Sequence, residues 1–445
     1  MQPAAPARRR ESGGGCSVKR TRLGAGFAAR FAALRGPPFR RYWFGSVASV
    51  GAFQLLIMGQ GWLVYELSGS PLQLGFLGAA SSIPTIIASL AGGVIADRVD
   101  RRRMLIATSL FTAALLALLA ALDGSGVVAV WHVLAIAGTI ALIVGFDFPA
   151  RMAFFPSLIG RKHMMSAVAL NAMLWQGTRM FLPALGGVII ALSDTWVVFA
   201  LGAAGFATMA VVMATFAPAK EASPPAGHSG REFLDGLRFI AAERLFLTLI
   251  LLTYATTFFG ISYVQLMPAF ARLLEVGEAG FGFMLSATGI GSVTGTLMVA
   301  TLQRSPRLGR LMLASLGCAA LSFLAFNVCV ALLSGHPAGY PLAVVCSVFA
   351  AMFTAMFLVS SMTVMQLAVP DRLRGRVMGM HGICFSLIPL GGLLGGAVAN
   401  ATSPPTAAAI NAALLGAVVL IVAVTQPSVR RLRGARAGLV GADTR

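Results

Sequence analysis

The chain has 445 residues, of which 57% are hydrophobic and 11% charged, and a mean hydropathy of +0.83. Soluble domains carry about 25% charged residues, so this composition excludes a soluble globular protein and predicts a polytopic membrane protein. The net charge of +19 would suit nucleic acid, but the charges are confined to short connecting segments, so no nucleic-acid partner is expected.

Residues 1–41 are rich in Arg, Gly and Pro and lack the apolar segment of a secretory signal, so they read as a disordered basic cytoplasmic tail. Apolar runs then predict membrane helices at 42–66, 71–96, 104–122, 127–149, 164–192 and 195–217. The stretch 217–230, rich in Pro, Ala, Ser and Gly, reads as a flexible linker. In 231–243, Phe233, Leu234, Leu237 and Ile240 share one helical face, which predicts an amphipathic helix at the cytoplasmic membrane surface. A second set of apolar runs follows at 246–270, 279–303, 309–333, 339–368, 374–399 and 405–425, before a basic tail at 426–445. The expectation is an all-α membrane protein of about twelve transmembrane helices in two six-helix pseudo-symmetric bundles. These are 42–217 and 246–425, joined by a cytoplasmic segment at 218–245.

Charge sets the orientation. Every Lys and Arg except Arg179 and Arg272 falls in a segment that a twelve-helix weave puts on one side. The positive-inside rule makes that side cytoplasmic, with both termini there, in a multi-pass cell-membrane protein. The two sets of helices also repeat each other. Pro183, followed by Gly186 and Gly187, parallels Pro389, followed by Gly391 and Gly392; Gly75 with Phe76 parallels Gly282 with Phe283. Two matches at nearly one offset predict a parallel repeat rocking around a central site.

Several in-membrane residues are candidates for chemistry. Arg179 sits within the fifth apolar run with Gln176 one turn before it. Pro183 four residues later leaves the Arg179 carbonyl without its usual donor and predicts a bend. Arg179 therefore either serves substrate or proton coupling in a cavity, or pairs with a carboxylate such as Asp147. Asp147 is expected either in a gate ion pair with Arg98 or Arg151, or solvated at the interface. Gln54 and Met58 share a face of the first helix with Gly61 and Tyr65. Tyr254, Phe258 and Gln265 do the same on the seventh. Such apolar faces with a few polar groups suit an amphiphilic organic substrate, and they equally suit plain helix packing. His381 in the eleventh helix titrates near neutral pH or packs as a hydrogen-bonding residue. Pro389 predicts a second bend. Gly291, Gly295, Gly391, Gly392, Gly395 and Gly396 read as packing faces.

Scattered cysteines without metal-ligand spacing, and the lack of a phosphate-cradling loop, zinc His pair or nucleophile elbow, predict no metal, no cofactor and no enzyme.

Between the second and third apolar runs lies a short turn holding Gly93, Asp97, Arg98, Asp100, Arg101, Arg102 and Arg103. Its order of Gly, Asp, Arg and a basic cluster resembles the loop between helices two and three of the major facilitator superfamily. Further likeness comes from Gly61, Trp62, Tyr65, Glu66, Gly69 and Pro71, from Pro149 with Arg151, from Met267, Pro268 and Arg272, and from Pro370, Asp371, Arg372, Arg374, Gly375 and Arg376. These resemble the drug-proton antiporter-like branch that includes enterobactin exporters and macrolide efflux proteins, over about residues 38 to 425. The resemblance implies a gate built from Gly93, Asp97, Arg98, Arg101, Arg102, Asp147 and Arg151, with Asp97 facing the start of the eleventh helix. Three positions depart from the branch: Ala52 where an acid is common in the first helix, Leu182 before Pro183, and Arg304 where the repeat would place a partner of Asp97. With Ala52, proton coupling falls to Asp147, Glu66 or His381. The expected function is a secondary transporter exporting a small amphiphilic organic compound, antiported against protons. The alternatives are a dedicated siderophore exporter and, from another class, a non-transporting membrane scaffold or sensor. The sequence sets no oligomeric state.

Overall fold

Backbone groups in lipid must be hydrogen-bonded within the segment itself, and helices are the way a single apolar run achieves this. The structure, a computed structural model, describes residues 32–96, 100–160, 163–217, 238, 240–302 and 305–432, and these contain helices and no strand. The first set is α1 Pro37–Ser68, α2 Pro71–Ala96, α3 Arg101–Gly124, α4 Val130–Phe154, α5 Met164–Leu192 and α6 Thr195–Ala214. In the second, α7 is split into α7a Arg244–Ala255 and α7b Met267–Leu273. It continues with α8 Gly277–Leu302, α9 Leu308–Leu333 and α10 Gly339–Ala368. α11 is split into α11a Asp371–Ile383 and α11b Leu387–Ala401, and α12 is Pro404–Thr425. Eleven spans among the described residues are long and apolar enough to cross a bilayer. α5, with 29 residues, has the length of a twelfth; Gln176 and Arg179 dilute its apolar character.

The basic tail expected through residue 41 stops earlier. Ala32–Arg35 form a 3₁₀ turn whose Ala33 N–H donates to Ser166 Oγ at 3.2 Å, and α1 begins at Pro37. Proline at the helix start loses no hydrogen bond, and burial of Phe39 and Tyr42 repays the ordering. Residues 1–31, 218–237 and 433–445 lie outside the described residues. That covers most of the expected amphipathic helix; of its positions, Arg238 and residues 240–242 are helical and Ile240 is buried.

Within the first set α2 packs on α4, α3 on α6, and α1 on α5 and α6; within the second α10 packs on α8 and α9, and α9 on α12. Two helix pairs, α2 with α11b and α5 with α8, make the main contact between the sets. Small residues let these backbones touch. A Cβ built on Gly78 would stand 2.6 Å from the Pro389 carbonyl oxygen, and one on Gly282 2.3 Å from that of Pro183. The two sequence repeats are thus each other's partners. The Gly75 segment of α2 lies against the Pro389 segment of α11b, and the Pro183 segment of α5 lies against the Gly282 segment of α8. A pseudo-two-fold axis that exchanges the halves makes one contact out of the other, as an isologous interface does.

The predicted bends differ. α5 runs unbroken through Pro183. α11 breaks into a 3₁₀ turn at Cys384–Ser386, just before Pro389, which has no N–H to offer the Phe385 carbonyl. The break in α7 has no proline at its centre. Thr256–Ile261 widen into a π turn and Ser262–Leu266 tighten into 3₁₀. Thr256 Oγ1 donates back to Leu252 O at 2.6 Å and Thr257 Oγ1 to Tyr254 O at 3.0 Å, bonds that bend helices, while Pro268 restarts the helix as α7b.

Candidate functional site

The contacts between the halves gather toward one face, opposite the Arg-rich segments. There Trp62 stacks on Phe281 with ring centroids 5.6 Å apart, Ser70 Oγ donates to Asn400 Oδ1 at 3.2 Å, and Ala184 N–H donates to Ser286 Oγ at 2.8 Å. Glu66 lies near this closed face, within electrostatic range of Arg272, Glu278, Asp194 and Asp123.

Toward the Arg-rich face the same helices part. On α5, residues 165, 168, 172, 176 and 179 recur at three- and four-residue steps and so share one face. Met165, Val168, Ala172 and Arg179 on that face are exposed and Gln176 half-buried, whereas Pro183, Gly186 and Gly187, one turn and more above, are buried against α8 and α1. Phe181, Leu185 and Leu192 are exposed on the opposite, lipid side of the helix. A Cβ on Gly379 or Gly382 of α11a would meet nothing within 4 Å. These exposures trace a vestibule that opens toward the Arg-rich face and ends at Arg179.

Arg179 makes no ion pair among the described residues, so the expected alternative of a partnership with Asp147 is corrected: the Asp147 carboxylate is bound by Arg151 four residues later on α4. Thr108 Oγ1 of α3 donates to Asp147 at 2.8 Å and Arg151 Nη1 donates to Ser49 of α1 at 3.2 Å, which ties three helices of the first set together. Tyr263, from the 3₁₀ turn of α7, lies within electrostatic range of Arg179. Tyr263 is buried, its ring held between Phe323 and Phe326, and its hydroxyl has no hydrogen-bond partner among the described residues. Sequence reasoning passed over Tyr263. The available signal was a phenol in the middle of an otherwise apolar run.

The other predicted residues divide. Gln54 is half-buried; Met58 is fully buried, its sulfur against Gly186, and belongs to the wall between α1 and α5. Tyr254 donates to the Met380 carbonyl of α11a at 2.8 Å, bracing α7a on α11a. The Phe258 carbonyl and the Gln265 side chain meet Gly391 and Gly392, the close approach expected of that glycine face. His381 is buried with Nε2 unpartnered among the described residues. Of the expected gate, Gly93 lies in the last turns of α2, Arg101 opens α3, and Asp97 and Arg98 lie outside the described residues. Asp100 caps α3 through the Arg102 N–H at 2.9 Å. Arg102 reaches back to α6, donating to Met213 O at 3.1 Å and Ala214 O at 2.8 Å, so its side chain closes a helix end within its own half instead of bridging the two halves.

With this geometry in hand, comparisons with known proteins converge. A family profile described as "Transmembrane secretion effector" matches residues 28–433. The enterobactin exporter EntS of Shigella boydii serotype 18 is 27% identical over 412 residues, covering 89% of this chain and 94% of its own. EntS of Escherichia coli strain SMS-3-5 is 27% identical over 423 residues, covering 92% and 96%. Among solved structures, a bacterial homolog of the lysosomal transporter Spinster, described as inward-facing and unoccupied, superposes with a TM-score of 0.66 at 15% identity, covering 87% of this chain and 95% of that one. The nucleoside transporter NupG gives a TM-score of 0.65 at 14% identity, covering 86% and 98%. The last two likenesses concern the fold.

Proposed function

This chain belongs to the transmembrane secretion effector family and has the major facilitator fold, and from that premise we propose that it exports a small amphiphilic organic compound by alternating access, in exchange for protons. The observation that carries the reading is the one-sided vestibule: the halves touch along α2–α11b and α5–α8, and the same helices part toward the Arg-rich face down to Gln176 and Arg179. The positive-inside rule makes the Arg-rich face cytoplasmic in the cell membrane, so this state is inward-facing and loads from the cytoplasm. The bundles 42–217 and 246–425, linked through 218–245, rock about the vestibule. The turn with Asp97 and Arg98 latches the outward-facing state onto the start of α11a, where helix N-terminal N–H groups favour an anion.

For the proton, Ala52 offers no acid, and Asp147 is committed to Arg151. His381 is the remaining in-span candidate, and its Nε2, unpartnered among the described residues, supports that role. A dedicated siderophore exporter is the narrower reading; it draws on the likeness to enterobactin exporters that are 27% identical.

The test is a deletion strain analysed for retained metabolites and exposed to toxic amphiphiles, with and without a protonophore. We expect one or more compounds to accumulate in the deletion strain, and their export from the complemented strain to stop on adding the protonophore. Unchanged compound levels overturn transport in favour of a scaffold or sensor. Protonophore-insensitive export removes the antiport step alone, and retention of a siderophore only selects the narrower reading. Cysteine placed in 67–70 should label from outside and in 101–103 only after permeabilisation; the reverse pattern overturns the orientation.

A further inference from the structure

We infer that the vestibule is an anion site: its ligand is an amphiphile whose negatively charged head binds Arg179 and the Tyr263 hydroxyl while its apolar body lies along α5 below. This rests on the export reading for the route the ligand takes.

Arg179 stands in the middle of α5, and Asp147, near the Arg-rich end of α4, is bound by Arg151. Arg179 has no ion pair among the described residues. The facing half cannot supply one: from residue 279 to 370 the sequence contains no Asp or Glu, and none occurs between Asp371 and Asp443. Glu275 just before α8 and Glu278 in its first turn sit on the closed face, beyond the packed Pro183–Gly282 contact. Among the described residues no carboxylate pairs with Arg179, which leaves its counter-ion to a ligand.

Geometry then gives the chemistry. Arg179 is exposed at the closed end of the vestibule, so it is hydrated while the mouth is open. A guanidinium is a planar fork that matches a carboxylate, sulfonate or phosphate with two parallel hydrogen bonds. Tyr263 adds a buried hydroxyl without a partner among the described residues, and Gln176 one turn below adds an amide. Below them Met165, Val168 and Ala172 line the same face with apolar surface. A charged tip over a greasy stripe fits a ligand with one anionic end. A cationic amphiphile would place like charge against Arg179.

The site also acts on the transport cycle. Closing the mouth removes water from Arg179, and a desolvated cation without a partner is costly in a low-dielectric interior. A bound anion removes that cost, so the loaded carrier occludes more readily than the empty one. Substrate charge thereby gates the conformational change.

The test uses the purified full-length protein in phosphatidylcholine nanodiscs, with 2-naphthoate and 2-naphthylmethanol as probes of equal shape and different charge. Wild type should bind the naphthoate at least tenfold more tightly. Arg179→Gln should abolish the preference, Arg179→Lys should keep part of it, and Tyr263→Phe, which keeps the ring packing, should reduce it by about threefold or more. A preference that persists in nanodiscs containing phosphatidylglycerol marks a free anionic solute; one abolished there marks a lipid headgroup as occupant and overturns the solute assignment. Equal binding of the two probes, binding of neither, or an undiminished preference in Arg179→Gln overturns the anion site. The export assay is read separately. Export with no charge preference leaves the transporter without this site, and charge preference without export leaves the site without transport.

Discussion

Replacing Gly78 by Ala tests whether helix contact on the closed face sets the conformational equilibrium. The added Cβ would stand 2.6 Å from the Pro389 carbonyl oxygen, where ordinary contact begins near 3.4 Å. α2 and α11b must therefore separate by about 0.8 Å, or one side chain's worth of packing must rearrange, at a typical overpacking cost of about 1–3 kcal/mol. That cost falls on the state in which the two helices touch and is absent when they part. At about 1.4 kcal/mol per tenfold, the equilibrium moves toward the outward-open state by about 5- to 150-fold. Gly282→Ala, with its Cβ 2.3 Å from the Pro183 oxygen, should act the same way through α5 and α8, and the double variant should be close to additive because the sites share no partner. Spin labels at Ser70 and Asn400, hydrogen-bonded at 3.2 Å, report the closed face directly by their distance distribution. The short-distance population should shrink in each variant, and a cysteine at Ala172 in the vestibule should become slower to label. An unchanged distance distribution in both variants would refute the reasoning and leave these glycines as passive filler.

Asp147→Asn removes the charge that balances buried Arg151 and should destabilise the protein by about 3–5 kcal/mol, read by thermal unfolding in detergent; Asp147→Asn with Arg151→Gln should recover part of the loss. Equal stability of the single and double variants would mean that the pair acts only through shape. Arg102→Gln should lower stability by about 1 kcal/mol through the two carbonyls of α6 it no longer holds, with transport retained; loss of transport at normal stability would restore Arg102 to the gate. Asp97→Asn should do the opposite, reducing transport at normal stability while labelling of vestibule cysteines rises, and normal transport would reduce that turn to a topology signal.

The sequence by itself determined that the chain is built of about twelve apolar helices and that its basic residues gather in the segments between them. In lipid each backbone must satisfy its own hydrogen bonds, so length and hydropathy are local quantities that can be read off the chain. The repeat was legible for the same reason, since the Pro183 and Pro389 segments match in their proline and glycines. What those segments touch was not legible. Only the tertiary structure pairs Pro183 with Gly282 and Gly78 with Pro389, because backbone contact across about a hundred to three hundred residues depends on which small residues come to face each other when the halves meet. Arg179 shows the division most clearly. Composition marked it as a charge that must find a partner or water, but whether Asp147 was that partner depended on the rotation of α4. There Arg151, one turn further along, takes the carboxylate first and leaves Arg179 facing an open vestibule. The break in α7 was hidden for a related reason. Threonines read as ordinary apolar-run residues until their hydroxyls are seen bonding back to the carbonyls of the preceding turn, and that bend places Tyr263 within electrostatic range of Arg179.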